Sequence, residues 1–116
     1  MDIYHIWCNL KPGTSDVAFC DQVDSYFGHL RDHGLVVGRR VTRRKLGLGS
    51  KELPEFHITV EVEKLAQLDS AFHRVASRSS VVEDLYHHVN FLVCDAMFAF
   101  HRDFPDAVRE TGGEKF

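Results

Sequence analysis

The order of hydrophobic periods along this 116-residue chain predicts an α+β domain of βαββαβ connectivity. Such a chain folds as a four-stranded antiparallel sheet with both helices on one face, the ferredoxin-like arrangement. Three observations carry the prediction. Period-two alternation opens the chain and returns near its middle, helical spacing follows each of those stretches, and a long apolar run, "NFLVCDAMFAF", closes the pattern.

The first strand spans residues 3–10, where Ile3, His5, Trp7 and Asn9 alternate with Tyr4, Ile6, Cys8 and Leu10. Pro12 and Gly13 end it, and Thr14, Ser15 and Asp16 supply candidate N-caps. Val17, Cys20, Val23, Phe27 and Leu30 then recur at helical spacing up to Gly34, a C′ glycine. "LVVGRRVTRRK", 35–45, is rich in β-branched residues and reads as the second strand, and "LGLGSKELP" as a loop. The third strand covers 55–63, with Phe56, Ile58, Val60 and Val62 on one face. Leu65, Leu68, Phe72 and Val75 mark the second helix. After the polar break "SRSS", a further helical piece carries Val81, Val82, Leu85 and Val89, and residues 90–100 form a largely buried last strand. The domain is expected over 1–102, with 103–116 as a loosely held C-terminal tail.

The length suits one domain with one core. Hydrophobic residues at 44% and charged residues at 27% match ordinary globular usage. Without an apolar run long enough to cross a bilayer, no membrane partner is expected, and the acidic opening "MDIYHIWCNL" lacks a signal-peptide pattern. Cys8, Cys20 and Cys94 are odd in number and widely spaced, which argues against a disulfide framework or zinc knuckle and for a reducing cytoplasm. A net charge of -3 provides no global attraction to nucleic acid, and none is expected as a partner.

Two strand histidines, His5 and His57, are the chief functional signal. The first and third strands of this fold are neighbours, so the rings can meet, and facing neutral imidazoles suit proton transfer to and from an enol, phenol or activated methylene. They are the candidate catalytic pair; buried histidines satisfied by backbone or by Glu61 are the structural alternative. Trp7 and Asn9 share the His5 face and are candidate ligand contacts, as is Tyr86, while His87 and His88 read as surface residues. His29 and His33 stand at i and i+4 without a third ligand, so no metal site is expected, and no cofactor. A haem reading has four equally placed axial candidates, His29, His33, His73 and His87. The basic run "RRVTRRK" splits between faces, Arg40 and Arg44 on one and Arg39, Arg43 and Lys45 on the other. It reads as a protected strand edge or, through Arg40, as an anion contact for a ligand. The helix-free face of the sheet needs a cover, and a second copy of the chain is the expected partner, making a homodimer.

"HIWCNLKPGTSD", "FHITVEVE" and "DLYHHVNFLVCDAMF" resemble the first strand, third strand and closing helix and strand of the stress-responsive dimeric α/β-barrel proteins. The resemblance spans most of residues 3–100, leaving out the arginine-rich strand and the tail. It implies a homodimeric barrel in a superfamily that holds cofactor-independent monooxygenases, polyketide cyclases, haem-degrading enzymes and proteins without known activity. Compared with the plant polyketide cyclases of this fold, His5 and His57 match strand histidines that line the pocket. Their catalytic Tyr and His fall at His73 and Ser79 here, or at Ser77 or Ser80 for the second with a slip of one or two residues, so the sequence departs from that pair, and His73 remains a polar pocket candidate. The resulting expectation is a small-molecule-binding dimer with acid–base chemistry on an aromatic or polyketide-like ligand. The alternatives are a cofactor-independent monooxygenase and a non-catalytic stress-response dimer.

Overall fold

A computed structural model describes residues 1–76 and 89–105. The elements run β1 (Asp2–Leu10), α1 (Asp16–Asp32), β2 (Gly38–Arg43), β3 (Phe56–Val62), α2 (Leu65–Ala76) and β4 (Val93–Arg102). The strands form one antiparallel sheet in the order β2-β3-β1-β4. This is the βαββαβ arrangement that the periodicities imply. The helical piece proposed around residues 81–88 and most of the tail, 106–116, lie outside the described residues.

Local chemistry sets the ends of α1. The Ser15 hydroxyl accepts a hydrogen bond from the Ala18 amide at 3.2 Å, as an N-cap should. At the other end His33 caps the helix and Gly34 takes the left-handed conformation, φ +70°, which lets the chain turn back toward β2. Gln67 then ties the two helices' ends together. Its amide nitrogen donates to the Gly34 carbonyl at 2.9 Å, and its oxygen accepts from the Glu63 amide at 2.7 Å.

One face of the sheet is buried by both helices. Cys8, Phe56, Ile58, Val60 and Val62 meet Phe19, Val23, Tyr26, Phe27 and Leu30 of α1 and Leu68 and Ala71 of α2. Phe19 packs edge-on against Phe56, ring centroids 5.2 Å apart. Each large side chain fully buried in this way stabilises the fold by roughly 1.5–3 kcal/mol. The apolar stripe of α1 is rotated from the expected one: Phe19 and Tyr26 are inside, whereas Val17 is 66% exposed. The helix starts at Asp16, so Val17 sits in its first turn, beside the cap rather than over the sheet.

Two other expectations need correction. The second strand is shorter than 35–45, because Leu35 to Val37 are taken up in the turn that follows α1. The last strand is an edge strand rather than a largely buried one, with Met97, Phe98 and Phe100 between 38% and 62% exposed. A continuous apolar run fits a strand covered on both faces, but β4 leaves side chains exposed on each, Phe98 and Phe100 on the helix side and Met97 on the other. At its outer end Arg102 makes a two-point ion pair with buried Asp2, at 2.9 and 3.2 Å. This pair fastens the two strand ends to each other.

Candidate functional site

Strand parity assigns each side chain of the sheet to one of two faces. Cys8 and Ile58 face the helices, so their sequence neighbours Trp7 and His57 face away from them, as do Ile3, His5 and Thr59. Register places Trp7 directly opposite His57 on β3 and Met97 on β4. In the adjoining row, His5 stands between Thr59 and Ala99, with Arg40 of β2 beyond Thr59. In the next, Ile3 stands between Glu61 and His101. The open face therefore carries three imidazoles and an indole at its centre.

His5 and His57 are in direct contact. The His5 Nδ1 and His57 Nε2 atoms lie 2.8 Å apart, a hydrogen bond whose donor depends on the tautomers. The rings are 17° from parallel with centroids 5.1 Å apart, about one hydrogen bond plus two ring radii, so they meet edge to edge in nearly one plane. Trp7 stacks against His57 at 4.5 Å and 7°, which fixes the plane of that imidazole. On the far side of His5 stands His101, centroid 4.5 Å away and tilted by 56°. The remaining ring nitrogen of His5, Nε2, is buried without a hydrogen-bond partner among the described residues.

The electrostatics favour neutral rings. Burial, then the proximity of His101 and of His57, holds the His5 pKa below the ordinary imidazole value, and burial does the same for His57. A neutral hydrogen-bonded pair has one tautomer relation to satisfy. If His57 donates to His5, then His5 Nε2 bears a proton; if His5 donates, Nε2 is a bare acceptor. Either way the ring nitrogens left outside the bond are His5 Nε2 and His57 Nδ1, and the direction of the bond sets which of them is a bare acceptor.

Of the other expected ligand contacts, Asn9 and His73 stand apart from this group. Asn9 lies past a register shift, where its side-chain oxygen accepts from the Glu55 amide at 2.9 Å and its nitrogen donates to Asp95 at 3.2 Å. It clamps the ends of β1, β3 and β4. His73 is exposed on α2, in the helical layer behind the sheet, and Tyr86 lies outside the described residues. Arg40 shares the open face at the β2 side. Three other arginines of the basic run hold structure together. Arg39 pairs with Asp24, Arg43 with Asp16 and Glu55, and Arg44 bonds the carbonyls of Ser50 and Leu53 in the following loop. His101 was beyond the reach of a strand expected to stop at residue 100; continuing the alternation Met97, Ala99 by one step would have found it.

Behind the sheet lies a separate cavity of about 370 Å³, bounded by Tyr4, Ile6, Tyr26, Leu30, Ala71 and Phe98 among others. No histidine is among its described lining residues. Its one described thiol, Cys8, is pushed up to about 11 by burial and by nearby Cys94, so it is not a thiolate at neutral pH. The molecule thus separates an apolar cavity from an imidazole cluster by the thickness of one sheet. Among the described residues, no group of three metal-binding side chains is arranged to hold an ion, and no helix is long and apolar enough to cross a membrane.

Solved structures with this fold share little sequence with the chain. A protein of Arabidopsis thaliana superposes with a TM-score of 0.68 at 8% identity, covering 93% of this chain and 100% of its own. A dimeric ferredoxin-like protein of unknown function from Jannaschia sp. CCS1 gives 0.65 at 7% identity, covering 89% and 100%. An antibiotic biosynthesis monooxygenase gives 0.60 at 15%, covering 90% and 100%. No curated protein matches. These likenesses establish the ferredoxin-like fold, and the sequence itself gives the family: across residues 1–116 the chain belongs to the family of unknown function DUF6614.

Proposed function

We propose that this chain is a homodimeric, small-molecule-binding α/β-barrel protein in which His5 and His57 perform acid–base chemistry on an aromatic or polyketide-like ligand. The observation that carries the reading is the 2.8 Å bond between the two rings, with His5 Nε2 buried and unpartnered beside it. With His5 donating to His57, that nitrogen is a bare acceptor and can take a proton from a phenol or an activated methylene while the second imidazole stabilises the charge that His5 acquires. Trp7 and the half-buried His57 provide flat surface against which a planar ligand can lie.

The dimer supports this chemistry by enclosing it. Two four-stranded sheets stacked through their open faces make an eight-stranded barrel, whose interior holds side chains and at most one small ligand. The likeness to the dimeric Jannaschia protein supports this assembly. So does the face itself, where Arg40 and Glu61 lie on the neighbouring strands β2 and β3. A two-fold axis can set each against its opposite on the other copy. Three cysteines, all free, suit a reducing compartment such as the cytoplasm.

A second reading rests on the 370 Å³ cavity and on the neighbour described as an antibiotic biosynthesis monooxygenase. There the ligand occupies the apolar space between sheet and helices as the substrate of a cofactor-independent oxygenation, and the imidazoles only build the dimer contact. Ligand-observed binding of phenols, short polyketides and haem decides between them. The proteins compared are wild type, a His5→Ala/His57→Ala double variant with fold and oligomeric state verified, and a cavity-filling Ala71→Leu variant. Binding lost in the double variant supports the first reading. Binding lost only in Ala71→Leu supports the second, and no binding to wild type leaves a non-catalytic dimer.

A further inference from the structure

The open face concentrates protonatable groups where the proposed barrel would have its interior. His5, His57 and His101 come from three different strands and lie within 5.1 Å, centroid to centroid, of the His5 ring. From β2 the same face receives Arg40, and from β3 Glu61. At the bulged start of β4, Asp95 is engaged by Asn9. With neutral rings, Arg40 and Glu61 balance each other. With His5 and His57 protonated, each protomer adds positive charge to this face, and a two-fold axis places it against that of the other copy.

We infer that protonation of these imidazoles separates the two copies, so that the chain is a dimer at neutral pH and dissociates as the pH falls through the imidazole range. This rests on the sheet-to-sheet dimer proposed above and adds its regulation.

The hydrogen bond between His5 and His57 makes the face selective about protons. One proton added to the pair can be tolerated, because a charged ring still donates to a neutral one. A second leaves two donors 2.8 Å apart with no acceptor between them, and the bond is lost. Covering the face with another sheet removes the water that would solvate the added charge, so a paired copy takes up protons less readily than a free one. The direction of the pKa shifts already present in the single chain agrees with this: both rings favour the neutral form. Because the free copies bind more protons than the pair, association is complete above the ordinary imidazole value of about 6.5 and weakens below it.

Sedimentation velocity of the full chain from pH 7.5 to pH 5, at fixed ionic strength, tests the inference. The dimer dissociation constant should rise about tenfold per pH unit for each proton taken up on separation. A His5→Gln/His57→Gln variant should lose most of that slope. A wild-type dimer whose dissociation constant does not change over this range overturns the switch and leaves the dimer standing. A monomer at every pH and concentration overturns the dimer and the switch together. Should the double variant not fold, histidine ring titrations of wild type by NMR above and below the dissociation constant decide. The His5 and His57 pKa values must rise on dilution to monomer, and equal values in both states overturn the inference.

Discussion

The two faces of this sheet are built from the same strands by alternate residues, yet they do different work. The face under the helices is mostly apolar, and its β3 side chains are close to fully enclosed: Ile58, Val60 and Val62 are each no more than 2% exposed. The opposite face holds half-buried His5, Trp7 and His57 in one hydrogen-bonded, stacked group. The contrast shows how a small domain can assign stability to one parity and chemistry to the other, because a substitution at one position leaves the register of its neighbours unchanged.

The largest expected effect breaks the covered face. Phe19→Ala removes a ring with no exposed surface that packs edge-on against Phe56. Such a cavity should cost about 3–5 kcal/mol, read as a loss of urea stability at fixed protein concentration. Trp7→Ala removes a larger side chain, but a half-buried one. Its cost to the fold should be about 1 kcal/mol, while binding and self-association should suffer most. Equal losses from the two substitutions would show that the open face is as much a core as the covered one, and the division drawn here would fail.

Next in size is the clasp between strand ends. Arg102→Ala leaves the Asp2 carboxylate, 4% exposed, without its two-point partner. Half of the arginine side chain is in water, so the loss is about 1–3 kcal/mol, that of an unsatisfied buried group rather than of a fully buried ion pair. Arg102→Lys should recover part of it, because an ammonium group keeps the charge but not the forked geometry. Full recovery would mean that charge alone matters at this end of β4.

How much of this was legible in the sequence follows from the range of each signal. Strand order, both helices and the pairing of His5 with His57 rest on local period and on adjacency of β1 and β3, which the connectivity implies. The face on which the pair stands was not legible, because alternation separates two parities without saying which one the helices cover. Phe19 and Tyr26 were missed, because the helix stripe was anchored on Val17, a first-turn residue. Asp2 with Arg102, and His5 with His101, join residues roughly a chain length apart. Those contacts depend on the register of β1 with β4, which a bulge at Asp95 shifts and no local pattern encodes.

Ser15→Ala tests the helical layer without touching the open face. The hydroxyl satisfies one otherwise unpaired amide at the start of α1, so its removal should cost about 1 kcal/mol. Chemical denaturation should record that loss, while ligand binding and the pH dependence of association stay as in wild type. A changed pH dependence would mean that the two faces are coupled through the strands.

The smallest effect on the fold, and the sharpest probe of the comparison, is the pH dependence contributed by the open face. His5 and His57 have pKa values lowered by burial, so the unfolded chain binds protons more readily than the folded one near the ordinary imidazole range. Folding stability from these two groups is therefore complete above about pH 6.5 and declines as the pH falls below it, in the same direction as for a carboxylate held by an ion pair but in the imidazole range. The rings remain partly in water, which limits the change. Urea midpoints of the monomer, measured at concentrations too low for association, should fall slightly between pH 7 and pH 5 in wild type and be flatter in His5→Gln/His57→Gln. If the variant keeps the wild-type slope, the protons that matter are taken up elsewhere, and the covered face or the helix ends, with His29 and His33, become the place to look.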